Sequence, residues 1–342
     1  MSLFARSALA AASALLALLI LPVLAQTDRQ ADAGRVRLEI KTEPIDSFEP
    51  GQSGRVRFGA LEFRGGLQLT SSYKGFGGLS ALRMFADGAN FISLTDKGRW
   101  LRGRITYAKG RPTGIADAEM APILGSDGRP LAARGWYDTE SIAIDGSTLY
   151  VGIERVNRIV RFDFGRYGLL ARGQPIPLPP GVSSLPNNRG LECLEYVPRS
   201  MPGGGTLVAI SERGLDSAGN IRGFLIGGPT PGEFSVARHD DFDVSDCAVL
   251  PDRALMLLER RFTWTTGVAV RLRRVPLDAL AAGAVVDGKQ ILTADMGYQI
   301  DNLEGLSVHR ASSGEVVLTM VSDDNFSLLQ RTILLQFALI GE

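Results

Sequence analysis

The stretch from Glu140 to Glu154, ESIAIDGSTLYVGIE, decides the fold class of this chain. Two short apolar runs flank Asp145-Gly146, a dipeptide that favours a tight hairpin turn. An acid opens the first run, and another acid closes the second. The first and last residues of an antiparallel hairpin lie side by side. The stretch therefore predicts a two-stranded unit with both acids at its open end.

Four further copies of this unit occur along the chain. The copies begin at residues 78, 140, 192, 246 and 304, a spacing of roughly 50–60 residues that is typical of propeller blades. Segments such as 158–162 and 268–272 supply outer strands. The pattern predicts an all-β protein, a β-propeller with five clear repeats and five or six blades, in which residues before Gly78 complete a sixth. We expect the last run, 332–339, to close the ring by pairing with the strand near residues 56–63.

The N-terminus predicts export. Arg6 precedes an uncharged apolar run from Ala8 to Leu21, and small residues lead to a cleavage position after Ala25, as in secretory signals. The run is shorter than the ~20 residues of a spanning helix, which favours a cleaved signal over an anchor. We therefore assign residues 1–25 to a signal peptide, 26–55 to a linker or edge segment, and 56–342 to the propeller. The mature protein is expected to be periplasmic or secreted, without insertion in a membrane.

Charge and cysteine content narrow the function classes. The chain has 37 basic and 37 acidic residues, so it gives no support for a nucleic-acid partner or a polybasic membrane surface. Cys193 and Cys247 lie in neighbouring repeats, and an oxidising compartment allows a disulfide between them. Two buried free thiols fit the sequence as well, and both interpretations stay open at this point.

The acids of the repeats predict one carboxylate-lined mouth of the central channel. The expected neighbours across each hairpin are Glu140 and Glu154, Glu192 and Glu212, Asp246 and Glu259, and Glu304 and Asp323, with Asp96 opposite Gly78. Because strand side chains alternate, Glu140 is expected on the same face as Ile142. Crowded carboxylates raise one another's pKa and need cations. Either Ca²⁺ supplies the charge, or the bases that follow the acids do so as structural ion pairs: Lys97, Arg155, Arg213 and Arg260.

Several segments resemble the family named for an "esterase-like activity of phytase", also called phytase-like domain proteins. The segments that carry the resemblance are Phe76–Ser80, Thr95–Gly98, Asp138–Ile142, Asn188–Glu192, Leu257–Arg260, Asn302–Leu306, Ser322–Phe326 and Gln330–Thr332. Lys97 departs from the usual arginine. The resemblance spans about residues 58–340 and implies an exported propeller-like domain that hydrolyses a phosphate or carboxylic ester.

These observations favour metal-assisted hydrolysis of a small phosphate or carboxylic ester. The predicted Ca²⁺ ligands are Glu140, Glu192, Asp246, Glu304 and Asp323, and the predicted substrate-binding residues are Arg155, Arg189, Arg213, Arg260, Asn325 and Arg331. Serine chemistry is disfavoured because Ser80 lacks the second glycine of a nucleophile elbow. Two alternatives remain: a non-catalytic periplasmic propeller that binds a ligand or partner protein, and a calcium-dependent lactonase-like hydrolase.

Overall fold

The computed structural model describes residues 34–341, so the segment predicted as a signal peptide lies outside the described residues. The strands are β1 (Val36–Arg37), β2 (Lys41–Ile45), β3 (Arg57–Phe58), β4 (Leu61–Thr70), β5 (Leu79–Met84), β6 (Asn90–Thr95), β7 (Arg99–Ala108), β8 (Arg111–Pro122), β9 (Leu124–Gly125), β10 (Thr139–Asp145), β11 (Thr148–Ile153), β12 (Arg158–Asp163), β13 (Arg172–Pro175), β14 (Leu191–Tyr196), β15 (Thr206–Leu215), β16 (Ile221–Gly227), β17 (Gly232–Val236), β18 (Asp243–Leu250), β19 (Ala254–Thr263), β20 (Gly267–Pro276), β21 (Val285–Val286), β22 (Lys289–Ala294), β23 (Asn302–Arg310), β24 (Val316–Asp323) and β25 (Thr332–Leu339). Single helical turns lie at Leu131–Arg134, Glu154–Val156, Phe164–Tyr167, Gly168–Leu170, Pro180–Ser183 and Leu277–Ala279.

The strands form five sheets arranged as the blades of a propeller. From the inner strand outward, blade 1 contains β5–β6–β7–β8, blade 2 β10–β11–β12–β13–β9, blade 3 β14–β15–β16–β17–β21, blade 4 β18–β19–β20–β22, and blade 5 β23–β24–β25–β4–β2. The five inner strands contact one another in a closed ring, since β5 contacts both β10 and β23. The predicted all-β propeller is therefore confirmed, with five blades.

The residues before Gly78 complete blade 5 and do not form the sixth blade that the sequence left open. Strand β4 pairs with the C-terminal β25, with Phe63 opposite Phe337 and Leu61 opposite Leu339. This is the predicted closure of the ring, which removes two open sheet edges at once. Within the region expected to be a linker or edge segment, residues 41–45 pair with β4 as an edge strand, and the Leu38 amide donates to the Ala118 carbonyl.

The hydrophobic core is divided into five clusters, one between each pair of neighbouring blades. Between blades 1 and 2, for example, the rings of Trp100 and Phe162 meet edge to face at 5.2 Å. The inner two strands of each blade bury both faces and so carry near-continuous apolar runs, such as Leu255–Leu258. Each blade is thus stabilised by its neighbours, and the acids at the ends of the inner strands are held on a rigid frame.

Cys193 and Cys247 form a disulfide between the inner strands of blades 3 and 4, with their Cα atoms 5.2 Å apart. Both cysteines are fully buried. Of the two interpretations left open by the sequence, the bridge is therefore the correct one. It cross-links two adjacent blades directly beneath the acidic end of the channel.

Removal of this bridge should lower the stability of the whole domain. For a closed loop of 54 residues, the chain-entropy relation gives a loss of about 4 kcal/mol in the free energy of unfolding. We expect this loss for the double variant Cys193→Ala/Cys247→Ala in urea unfolding. Dithiothreitol should destabilise the wild type and leave the variant unchanged. An equal response of both proteins to the reductant would contradict the prediction.

Candidate metal and substrate site

A β-bulge near the start of each inner strand shapes the mouth of the channel. The pairing register slips by one residue in all five inner hairpins, and the extra residues are Ser80, Glu140, Glu192, Ser245 and Glu304. A bulged residue has no partner opposite it, and the strand bends there. The three bulged glutamates line one cavity at the mouth. By contrast, the Ser80 hydroxyl donates to the Thr139 carbonyl, so this serine ties blade 1 to blade 2.

A second ring of residues lies on the second strand of each blade, at or just after the last residue paired with the inner strand. The amide of Glu154 donates to the Asp138 carbonyl at 2.8 Å, and that of Glu212 to the Gly190 carbonyl at 2.7 Å. Pairing with the inner strand therefore continues one residue beyond Ile153 and Ser211. The equivalent positions around the ring are occupied by Asp96, Glu154, Glu212, Arg260 and Asp323. Blade 4 therefore places an arginine where the other four blades place an acid.

The bulged glutamates and the residues of the second ring line one cavity of about 160 Å³. It is lined by Asp96, Asp138, Glu140, Glu154, Asn188, Glu192, Glu212, Arg260, Glu304, Asp323 and Asn325. Eight carboxyl groups thus face a single guanidinium. Arg260 forms ion pairs with Glu212 and Glu304, each at 3.2 Å, and donates to the side-chain oxygen of Asn302 at 2.7 Å.

Three of these carboxylates are close enough to share one cation. One oxygen from each of Glu154, Glu192 and Glu212 lies within 4.8 Å of the other two. Glu154 also accepts from the Gly190 amide at 2.7 Å, which holds its side chain in place. At Asp96, one buried carboxylate oxygen has no hydrogen-bond partner among the described residues. A concentrated set of oxygen donors with unused lone pairs is what Ca²⁺ requires.

Burial, reinforced by the neighbouring carboxylates, raises the pKa of these acids. The pKa is raised to about 7 for Asp96 and Glu154 and to about 8 for Glu304. Burial likewise raises the pKa of the remaining acids, Asp138, Glu140, Glu192, Glu212 and Asp323. Without an added cation, the pocket therefore retains protons near neutral pH.

A buried arginine closes the channel below this cavity. Arg83, on the inner strand of blade 1, pairs with both oxygens of Asp246 at 2.9 and 3.1 Å. It also donates to the carbonyl groups of Leu194, Cys247 and Leu306 on blades 3, 4 and 5. These residues lie further along the inner strands than the bulges. The mouth is consequently a dead-end pocket with access from one side.

Similarity to known proteins supports the family resemblance. The sequence profile described as "Phytase-like: Esterase-like activity of phytase" matches residues 74–326. The chain belongs to this phytase-like family. No curated protein sequence matches it significantly.

Several solved structures are similar to this phytase-like chain at low identity. Glutaminyl cyclase from Myxococcus xanthus is 13% identical with a TM-score of 0.40, covering 78% of this chain and 92% of its own. PQQ-bound aldose sugar dehydrogenase from Streptomyces coelicolor is 15% identical with a TM-score of 0.42 (83% and 99%). Endo-arabinase from Bacteroides thetaiotaomicron is 11% identical with a TM-score of 0.44 (77% and 94%). At these levels the similarity says nothing about activity.

In this phytase-like propeller, four of the five predicted metal ligands line the cavity: Glu140, Glu192, Glu304 and Asp323. The fifth, Asp246, does not, because the bulge of blade 4 falls on Ser245 and places Asp246 one residue deeper, against Arg83. Glu259, expected beside Asp246 at the mouth, pairs instead with Arg271 and Arg273 inside blade 4. The regular alternation expected from Glu140 to Ile142 is interrupted, because the bulge falls at Glu140. Ile142 packs between blades 1 and 2.

The predicted substrate-binding residues divide into three groups. Arg260 and Asn325 line the cavity. Arg155 and Arg189 are exposed side chains whose charges act on Asp138 and Glu212, respectively. The remaining two arginines are held elsewhere, Arg213 by Asp243 and Arg331 by Gln299 and the Ile300 carbonyl. Arg260 and Asn325 are therefore the two predicted substrate-binding residues that line the cavity itself.

Five lining residues were outside the predicted ligand and substrate sets. Asp96, Glu154 and Glu212 were expected at the mouth as hairpin neighbours but not as ligands, whereas Asp138 and Asn188 were not predicted as part of the site. Both adopt left-handed backbone conformations, with φ of 63° and 58°, in the connections that lead into β10 and β14. The signal was present in the sequence as Asp138-Thr139-Glu140, an acid two residues before a bulged acid. This motif predicts a site residue at Asp138 only if the position of the β-bulge at Glu140 is known.

Proposed function

We propose that this protein is an exported calcium-dependent hydrolase of phosphate or carboxylic esters, with the acidic pocket as its active site. The observation that carries the proposal is the enclosure of eight carboxyl groups and one arginine in one cavity. Because only charged residues and two asparagines line this cavity, it does not suit a hydrophobic ligand. Its donors suit a hard divalent cation, with Glu154, Glu192 and Glu212 as the first ligands.

The bases of the chain do not neutralise this pocket by themselves. Of the four bases that follow the acids of the repeats, Arg260 alone forms ion pairs with lining carboxylates. Lys97 lies over the ring of Phe326, Arg155 over that of Tyr137, and Arg213 pairs with Asp243. This arrangement favours a bound cation over the alternative of a purely structural ion-pair network.

The position of each residue in the pocket indicates its proposed role. A bound Ca²⁺ supplies charge neutralisation for a phosphoryl group or polarises an ester oxygen. Arg260, between Glu212 and Glu304, is placed to donate to a second substrate oxygen. A carboxylate outside the ligand set, with its pKa raised by burial as for Glu140, accepts the proton of the attacking water. Because Arg83 closes the channel, substrate and product use the same opening.

Export agrees with the buried Cys193–Cys247 disulfide, which persists in oxidising compartments. Within the described residues, no helix is long and apolar enough to cross a membrane. We propose a periplasmic or secreted location on these grounds, together with the N-terminal sequence.

Calcium binding is tested first, because it separates the hydrolase from a metal-free propeller that only binds a ligand. After chelation, millimolar Ca²⁺ should raise the melting temperature, since a ligand bound only by the folded state stabilises it. Glu192→Gln should abolish this rise, and Asp241→Asn, at an exposed acid outside the pocket, should retain it. An absent shift together with no metal in elemental analysis would sink the proposal.

Substrate class is tested next, with the calcium-loaded protein. Phosphate monoesters, carboxylic esters and lactones distinguish the proposed hydrolase from a lactonase-like enzyme. For the active class, Glu140→Gln should lower kcat/KM by about 100-fold because it removes the proton acceptor, and Glu304→Gln by a similar factor because it removes an ion-pair partner that positions Arg260. Unchanged turnover in both variants would place the active site elsewhere.

A further inference from the structure

The most exposed large apolar side chains among the described residues lie at the end of the propeller that carries the acidic pocket. Leu328 is fully exposed, Leu329 is 95% exposed and Trp264 is 94% exposed, whereas no other large apolar side chain in this part of the chain is more than 60% exposed. Leu328 follows the lining residue Asn325 by three positions, and Trp264 follows the lining residue Arg260 by four. Successive Cα atoms are about 3.8 Å apart, so the Cα atoms of Leu328 and Trp264 lie within about 11 and 15 Å of those of the two lining residues.

The two leucines stand on a loop that hydrogen bonds hold in place. The Ser327 amide donates to the Asp324 carbonyl at 2.7 Å, and the Leu329 amide donates to the Ser327 hydroxyl at 3.2 Å. The Phe326 ring of the same loop is half-buried, and the Lys97 ammonium lies 2.8 Å from its centre. The loop therefore anchors its aromatic side chain and presents two leucines to solvent, where they lose the favourable free energy of burial.

A second apolar group surrounds the tip of the β19–β20 hairpin. The rings of Trp264 and Phe262 meet edge to face with their centres 5.3 Å apart, and Phe262 is itself more than half exposed. Met296, also more than half exposed, packs against the tip, since a Cβ atom placed on Gly267 would lie 2.9 Å from its Cγ atom. Exposed apolar groups of this kind mark sites of interaction with a protein or a membrane.

Three exposed cations stand next to the pocket at the same end. Lys97, Arg155 and Arg189 each directly follow a residue that lines the cavity. None of the three forms an ion pair among the residues that the structure describes, and the side chains of Lys97 and Arg155 lie over aromatic rings instead. Most acids of the pocket, by contrast, are buried. The three cations are therefore available to an approaching surface, where they complement anionic headgroups.

We propose that this end of the propeller docks on the surface of a lipid bilayer that contains anionic phospholipids, with both apolar loop tips inserted at the headgroup level and the three cations on lipid phosphates. Tryptophan favours this depth of a bilayer. A fluid bilayer accommodates separate projecting tips, whereas a specific protein partner needs a continuous complementary surface of about 800 Å². Docking of this kind needs no spanning helix. It does not use the chemistry of the pocket, so it stands or falls separately from the proposed hydrolase.

Vesicle binding tests the proposal, and Trp264 supplies a signal of its own. Of the three tryptophans, Trp100 is buried and Trp136 is half-buried, so Trp264 reports a change of environment at the docked surface. In chelator, vesicles of phosphatidylcholine and phosphatidylglycerol should sediment the protein and shift its emission to shorter wavelength, and pure phosphatidylcholine should bind at least about 5-fold more weakly. Trp264→Phe should still bind but lose the emission shift. Absent sedimentation, or sedimentation of the wild type without a shift, would overturn the proposal.

A matched pair of double variants tests the leucine loop. Leu328→Ser/Leu329→Ser should weaken binding to the mixed vesicles by at least about 20-fold, because two leucine side chains no longer enter the bilayer. Tyr167→Ser/Leu170→Ser, which alters two half-exposed side chains at the far end of blade 2, should bind as the wild type does. Both variants should keep the melting temperature of the wild type, since the replaced side chains are exposed. Equal losses of binding in the two variants would contradict the assignment.

Two further measurements separate the bilayer from other occupants of this surface. Without lipid, light scattering should give a monomer, and a dimer that Leu328→Ser/Leu329→Ser disrupts would assign the loop tips to a second copy of the chain. Glu192→Gln, which removes a proposed calcium ligand, should bind the mixed vesicles undiminished. Loss of vesicle binding in this variant would place the lipid in the pocket and overturn docking by the loop tips.

Discussion

Replacement of Arg83 by methionine is expected to lower the free energy of unfolding by about 3–5 kcal/mol. Methionine fills much of the volume, but it leaves Asp246 as a buried charge without its partner. The carbonyl groups of Leu194, Cys247 and Leu306 lose their donor as well. Because these groups belong to three different blades, the loss should appear as a shift of one cooperative transition in urea.

Two controls separate this effect from a general intolerance of substitution. Arg104→Met removes an exposed ion pair with Asp117 and should cost less than about 1 kcal/mol. The double variant Arg83→Met/Asp246→Asn should be more stable than Arg83→Met alone, since it removes the more deeply buried of the two carboxylates that Arg83 pairs with, Asp246 and Glu195. A cost for Arg83→Met no larger than that of Arg104→Met would show that the guanidinium does not hold the inner strands together.

Without calcium, the protein is expected to be more stable at pH 5 than at pH 8. Burial raises the pKa of Glu154 from 4.5 to about 7 and that of Glu304 to about 8, so the folded state binds more protons than the unfolded state in this window. The free energy of unfolding therefore falls as pH rises from about 4.5 to about 8. Each pKa unit corresponds to about 1.4 kcal/mol, so the expected loss is several kcal/mol. Denaturant unfolding across this range, in chelator, measures it.

Calcium should reverse this pH dependence, because the ion requires deprotonated ligands. Saturating Ca²⁺ should raise the melting temperature strongly at pH 8 and little at pH 5. The lowered pKa values of acids such as Asp87 and Asp216 affect the free energy of unfolding only below this pH range. The lowered pKa of His309 acts in the opposite direction, but it is one group against several. Glu154→Gln/Glu304→Gln should make the metal-free profile less steep, while the other pocket acids with raised pKa, such as Asp96, retain part of the pH dependence. A metal-free stability that rises from pH 5 to pH 8 would show that the pocket does not retain its protons.

The repeat in the sequence was sufficient to predict the propeller. Hairpin turns such as Asp145-Gly146 and alternating apolar runs are local properties, because turn chemistry and strand periodicity depend on adjacent residues. Closure by the last strand was also predictable, since every blade needs a partner for its open edge. The number of blades could not be predicted from the sequence, because the segment of β4 could belong either to a sixth blade or to the fifth. Its pairing with β25, about 270 residues away, decides the matter.

The acidic mouth was predictable as a class of site, and four of its residues were predictable individually. Acids at the ends of hairpins must meet when inner strands surround a channel, and Glu140, Glu192, Glu304 and Asp323 do so. Asp246 and Glu259 follow the same pattern in the sequence but lie one register away from it. Only the tertiary structure decided this difference, because a bulge is set by hydrogen bonding and packing across neighbouring blades. One residue of register separates a cation ligand from the buried partner of Arg83.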